Sequence, residues 1–217
     1  MHILLLGATG RTGKWVLQHA IDQGHQVHCL ARKASRISAH PQLKVFEGDV
    51  RSKEDLSKAI TGCSHVISVL NVSRRSDFPW APLRTPPTLM SDTMRTLLPL
   101  AETASIQRIL LCSAWGVSET KQDIPNWFRW FIEHSNIGVA YKDHERQEAI
   151  LMESALPWTI VRPVGLVNSK RPQVVQETFH QQPKPGLIIS RKALGRFLVE
   201  SLSREDLVRK TLVVSKG

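Results

Sequence analysis

Two rhythms of apolar and polar positions alternate along this chain. Short, nearly unbroken apolar runs recur at residues 2–6, 26–30, 43–47, 65–70, 108–112 and 158–161. Runs of that length suit parallel strands buried on both faces. Between them apolar residues return at helical spacing. Trp15, Val16, Leu17, Ala20 and Ile21 mark a first helix, and residues 53–60, 88–105, 140–154 and 191–202 mark others. Runs at 187–189 and 211–214 are expected to complete the sheet edge. The alternation predicts one α/β domain over residues 1–217, doubly wound around a mostly parallel sheet, with no repeat or linker.

Three stretches depart from the rhythm. Residues 71–87 hold Pro79, Pro82, Pro86 and Pro87 around Trp80, which reads as a loop, and long loops in compact domains are often binding loops. Residues 125–134 concentrate Trp127, Phe128, Trp130 and Phe131. That segment is either an apolar helix packed on the domain or an aromatic lid over a flat ring substrate. Residues 169–185, with three prolines and several glutamines, read as a surface excursion near the substrate mouth. The substrate side is accordingly expected at 71–87, 113–140 and 163–186.

Candidate chemistry begins where the first apolar run ends, at Gly7-Ala8-Thr9-Gly10-Arg11-Thr12-Gly13. Strand, glycine turn and helix form the context of a dinucleotide fingerprint, and so of a Rossmann-type domain. Gly7 permits the tight turn, Gly10 lets backbone N–H groups approach a pyrophosphate, and Gly13 lets the helix pack against the strand. The helix N-terminus then offers unpaired N–H groups to the phosphates. After the second run, where NAD-selective folds carry a carboxylate, stand Arg32, Lys33 and Arg36, with no acid between Asp22 and Glu47. Guanidinium groups suit a 2′-phosphate, so NADP(H) is expected over NAD(H), held by Arg32 and Arg36 with Arg11 assisting. Asp49, beyond the third run, either accepts from the adenine amino group or caps the helix beginning near Ser52. Asn71 ends the fourth run, on the side where strand ends form the ligand crevice.

Composition narrows the field. The chain has 217 residues, 41% hydrophobic and 22% charged, which suits one globular domain with a sizeable core. No run is long enough to cross a bilayer, and the first apolar run lacks the basic leader of a signal peptide. A cytoplasmic protein without a membrane partner is expected. Cys29, Cys63 and Cys112 are odd in number and widely spaced, so buried reduced thiols are expected and no metal site. The net charge is +10 and the pI near 10.0. Its basic residues fall in scattered pairs, Arg74-Arg75, Lys170-Arg171 and Arg191-Lys192, so a phosphorylated cofactor or acidic substrate is favoured over nucleic acid.

Together the motifs resemble the atypical short-chain dehydrogenase/reductase superfamily across essentially the whole chain. GATGRTG at 7–13, GDV at 48–50, the serine after the fifth strand and TIVRP at 159–163 carry the resemblance. TPPTLMSDTMRTLL at 85–98, CSAWG at 112–116, KDHERQEAIL at 142–151 and LIISRKALGRFL at 187–198 are similar to the biliverdin IXβ reductase/flavin reductase branch and its NmrA-like relatives. The resemblance implies cofactor contacts at Gly7, Thr9, Gly10, Arg11, Thr12, Gly13, Arg32, Asp49, Val50, Leu70, Ser113, Pro163 and Val164.

The superfamily's usual Tyr-x-x-x-Lys pair is broken. Tyr141 is the only tyrosine, and Glu145 stands where the lysine would be. A carboxylate there would raise the phenol pKa, while Lys142 is expected to point elsewhere on the helix. Ser113 and His144 are the other candidates for chemistry, with Asp143 behind them. The implied function is NADPH-dependent hydride transfer to a flat small-molecule acceptor such as a flavin, tetrapyrrole or quinone. The alternative is a non-catalytic NADP(H)-binding regulator or redox sensor. A monomer or weak homodimer fits the single-domain size.

Overall fold

The computed structural model describes residues 1–169 and 171–217, so Lys170 of the Lys170-Arg171 pair lies outside the described residues. The strands are β1 (His2–Leu6), β2 (Gln26–Ala31), β3 (Leu43–Glu47), β4 (His65–Ser68), β5 (Arg108–Cys112), β6 (Trp158–Pro163), β7 (Gly165–Val167), β8 (Val175–Thr178), β9 (Ile188–Ser190) and β10 (Lys210–Lys216). The helices are α1 (Gly13–Asp22), α2 (Lys53–Ile60), α3 (Leu89–Thr103), α4 (Asn126–Glu133), α5 (Ile137–Glu153) and α6 (Arg191–Glu200). Eight strands form one sheet in the order β3-β2-β1-β4-β5-β6-β10-β8, parallel except for β8 against β10. This is a single Rossmann-like α/β domain. Strand order reverses between β1 and β4, the switch point at which the chain leaves on opposite sides.

All five residues of β5 and all six of β6 are buried, as unbroken apolar runs require when helices cover both faces. Ile3 and Leu5 point to one face with Val16 and Ala20 of α1 and Leu194 and Leu198 of α6. Leu4 and Leu6 point to the other with Leu56 of α2 and Leu97 and Ala101 of α3. Local chemistry sets the helix ends. The Ser52 hydroxyl accepts from Asp55 N–H at 3.2 Å to start α2, and Ser190 caps Ala193 at 3.0 Å to start α6. The three cysteines are free and buried, and burial pushes each thiol up to about 12.

Three expectations are corrected. The run at 187–189 does not complete the main sheet. As β9 it pairs in parallel with β7 in a separate two-stranded sheet. The sheet edge is β8, which lies inside the polar 169–185 stretch. An edge strand needs only one apolar face, so the sequence Val175-Gln176-Glu177-Thr178 suffices once β10 supplies the hydrogen bonds. The fourth run stops at Ser68 rather than residue 70, because the backbone at Val69 turns to lie against Gly7.

Candidate active site

The glycine turn has the geometry its sequence requires. Gly7 adopts φ +93°, and a Cβ there would stand 2.9 Å from the Val69 carbonyl oxygen, which joins the ends of β1 and β4. A Cβ on Gly13 would sit 2.0 Å from the Gly7 carbonyl oxygen, so only glycine lets α1 approach so closely. Gly10 N–H donates to the Gly7 carbonyl at 2.9 Å and closes the turn. Thr12 begins α1 without a side-chain cap, so no side chain competes for the first-turn N–H groups. Helix N-termini at a strand-order switch carry the partial positive charge that suits an anion.

Cationic groups rim this crevice. Arg32 and Arg36 are exposed on the turn after β2, and the Glu47 carboxylate shapes that turn by accepting from Ala34 N–H at 2.9 Å. Arg11 pairs with Asp77 of the 71–87 loop at 3.1 Å, both largely exposed. Asp49 does not cap α2. Ser52 is the cap of α2, while Asp49 accepts from Arg51 through both carboxylate oxygens, at 3.1 and 2.7 Å. The hydrogen bond from Arg51 holds the Asp49 carboxyl below its usual range. Val50 and Leu70 are half-buried against the α2–α3 core, and Asn71 is exposed.

The far wall is built from the ends of β5 and β6. Ser113 N–H donates to Val161 at 2.8 Å, and Trp115 N–H to Pro163 at 3.0 Å. Pro163 and Val164 are buried, and Val164 N–H is tied to Val214 at 3.1 Å. Ser113 is buried, and its hydroxyl has no partner among the described residues.

Tyr141, Lys142 and Glu145 line one face of a cavity of about 260 Å³, closed by Gly116 and by Arg129 and Glu133 of α4. Lys142 therefore shares the cavity with Tyr141, contrary to the expectation that it points elsewhere. Burial, and not the Glu145 carboxylate, pushes the Tyr141 phenol up to about 12. His144 does not line that cavity. It is buried, and burial lowers its pKa to about 4. Gln147 Nε2 donates to its Nδ1 at 2.7 Å, which leaves the proton of the neutral ring on Nε2. Asp143 is a structural residue: fully buried, it accepts from Met90 N–H at 2.7 Å and caps α3.

In α4, Ile132 is buried and Phe128 half-buried, whereas Trp127 and Trp130 face solvent. Neither tryptophan lines the Tyr141 cavity. Sequence reasoning passed over Arg162 within TIVRP. Fully buried on β6, it is bound by Glu148 at 3.0 and 2.7 Å and by Glu119 at 2.5 and 3.0 Å. Those hydrogen bonds outweigh its desolvation and raise its pKa. A lone charge inside an apolar strand was the available signal. A second recess, about 690 Å³, opens at the β10–β8 edge beside Trp115 and His180, and none of the expected site residues line it.

A family model described as NAD(P)H-binding matches residues 7–205, from the glycine turn to beyond α6. The chain belongs to this NAD(P)H-binding family. Among curated relatives of this NAD(P)H-binding chain, the photosystem II assembly factor Ycf39 of Trieres chinensis is 26% identical over 76% of this chain and 46% of its own length. Ycf39 of Cyanophora paradoxa is 35% identical over 36% of this chain and 24% of its own. The chain thus spans less than half the length of these assembly factors. Oxidoreductase aflX of Aspergillus parasiticus is 29% identical over 76% of this chain and 65% of its own. Among solved structures, ChuY, an anaerobillin reductase from Escherichia coli O157:H7, superposes with TM-score 0.81 at 20% identity, covering 100% of this chain and 97% of that one. A short-chain dehydrogenases/reductase from Veillonella parvula in complex with NADP gives 0.80 at 18%, covering 99% and 94%. These likenesses establish the fold.

Proposed function

We propose that this chain is an NADPH-dependent reductase that passes a hydride to a flat, conjugated acceptor such as a flavin, tetrapyrrole or quinone. The bound nicotinamide supplies the hydride. The chain's own residues hold the dinucleotide at the glycine turn, with Gly7, Thr9, Gly10, Thr12 and Gly13 shaping the cradle. Arg32 and Arg36 receive the 2′-phosphate, with Arg11 assisting. Ser113 donates to the carboxamide or the acceptor, and Leu70, Asn71, Pro163 and Val164 bound the nicotinamide end. Asp49 and Val50 flank the adenine.

The observation that carries this reading is the glycine turn at the strand-order switch, with Arg32 and Arg36 exposed on the turn after β2 and Ser113 buried at the end of β5. Burial pushes the Tyr141 phenol up to about 12 and the His144 imidazole down to about 4. Neither is tuned toward neutral pH, as an efficient general acid would be. Catalysis then rests on orientation and exclusion of water, with effective concentration supplying most of the rate. Tyr141 acts as a hydrogen-bond donor to the bound acceptor, and solvent supplies the proton.

The second reading is a non-catalytic NADP(H)-binding regulator, favoured by the likeness to assembly factors across three quarters of the chain. NADPH oxidation against FMN, riboflavin, biliverdin and quinones, with NADH in parallel, separates the two. Turnover with NADPH preferred supports the reductase. Tight NADPH binding with no turnover across the panel replaces it with the regulator.

A further inference from the structure

Rings of α4 and the 71–87 loop adjoin one another, with Phe78, Trp80 and Trp127 exposed and Phe128 and Phe131 half-buried between them. Phe78 meets Trp80 at 5.4 Å, Trp80 meets Phe131 edge-on at 5.7 Å, Phe131 stacks on Phe128 at 6.5 Å, and Phe128 meets Trp127 at 5.5 Å. Trp130 stacks on His134 at 4.7 Å. Relative exposure is 61% for Phe78, 48% for Trp80, 70% for Trp127 and 58% for Trp130. The surface is preformed: Trp80 Nε1 donates to the His134 carbonyl at 2.7 Å, and Asn136 Nδ2 donates to the Trp80 carbonyl at 3.0 Å. A contiguous patch of large rings is unusual on a free protein surface and marks an interaction site.

The charge around it is one-sided. Arg74, Arg75 and Arg84 stand on the loop, while the nearby acids Asp77 and Glu133 pair with Arg11 and Lys121. We infer that this face rests on an anionic bilayer surface, its tryptophans at headgroup level and its arginines on the lipid phosphates. Indole rings favour the membrane–water interface, and basic residues are attracted to an anionic surface. A second copy of this chain is disfavoured as the occupant, because a twofold interface would set these arginines against their own images. The expectation of no membrane partner followed from the lack of a spanning segment. No helix among the described residues is long and apolar enough to cross a membrane, and lying on its surface does not require one.

Sedimentation with phosphatidylcholine vesicles, and with phosphatidylcholine mixed with phosphatidylglycerol, tests this. The whole chain should pellet with the mixed vesicles alone, with blue-shifted tryptophan emission, and be released by high salt. The Trp127→Ala/Trp130→Ala variant should lose at least about tenfold in partitioning, and Arg75→Glu/Arg84→Glu a similar factor. NADPH binding checks that both variants remain folded. No pelleting, pelleting indifferent to the tryptophans, self-association abolished by the tryptophan variant, or capture only by a single-stranded oligonucleotide would each overturn the inference.

Discussion

Asp143 of α5 accepts the backbone N–H of Met90, the second residue of α3, at 2.7 Å. The Ser91 hydroxyl adds a bond at 2.5 Å to the same carboxylate. A helix that lacks its own side-chain cap is thus capped by a neighbour, which fixes the relative height of two helices beside the crevice. Asp143→Ala leaves buried donors unpaired and should cost about 2–4 kcal/mol. Urea unfolding should show a lower midpoint with an unchanged slope. Asp143→Asn should recover part of the loss, since the amide oxygen still accepts.

The glycine turn was legible in the sequence, whereas the partners of Asp143, Arg162 and Glu148 were not. Glycine at positions 7 and 13 answers to local backbone geometry, so the motif states the structure. Asp143, Arg162 and Glu148 answer to partners roughly fifty, fourteen and thirty residues away, and nothing in their own neighbourhood names those partners. Helical spacing alone placed Lys142 away from Tyr141, but a cavity bounded by two helices collects both. The missed strand β8 makes the same point: its pattern is weak because β10 provides the order.

Gly13→Ala should abolish dinucleotide binding. The added methyl would lie 2.0 Å from the Gly7 carbonyl oxygen, a contact that only displacement of α1 relieves. Displacing α1 moves the first-turn N–H groups from the phosphates. Calorimetric titration with NADPH should show no saturable heat, and the thermal midpoint should fall by several degrees.

Arg32→Asp should invert cofactor choice. A charge-assisted contact to a 2′-phosphate contributes about 1.5–3 kcal/mol, so NADPH should weaken by roughly ten- to a hundredfold. The new carboxylate can accept from ribose hydroxyls, and NADH should bind as well as before or better. Unchanged NADPH affinity in the variant would remove Arg32 from the phosphate site.

His144 should make the fold sensitive to mild acid. Its pKa falls from the ordinary 6.5 to about 4 in the folded chain, so below pH 6.5 the unfolded state binds a proton that the native state refuses. Stability from this group is full above pH 6.5 and declines as pH falls toward 4, by about 2 kcal/mol at pH 5. His19, His25 and His65 are lowered in the same sense, so the informative quantity is the difference between variants. Urea midpoints from pH 7 to 5 should fall less steeply in His144→Asn than in the parent chain.

Tyr141→Phe separates two ways of using the cavity. If the phenol were the obligatory acid, its removal would cost two to four orders of magnitude in kcat. A phenol pushed up to about 12 by burial, with Glu145 rather than lysine one turn on, is poorly placed to deliver a proton at pH 7. The variant keeps the ring that closes the cavity beside Gly116 and loses only a hydroxyl. Reduction of a flavin acceptor should therefore keep kcat within about tenfold, the loss of one hydrogen bond appearing in KM. A fall of a thousandfold in kcat at unchanged KM would return Tyr141 to the role of proton donor and require Lys142, across the same cavity, to tune it.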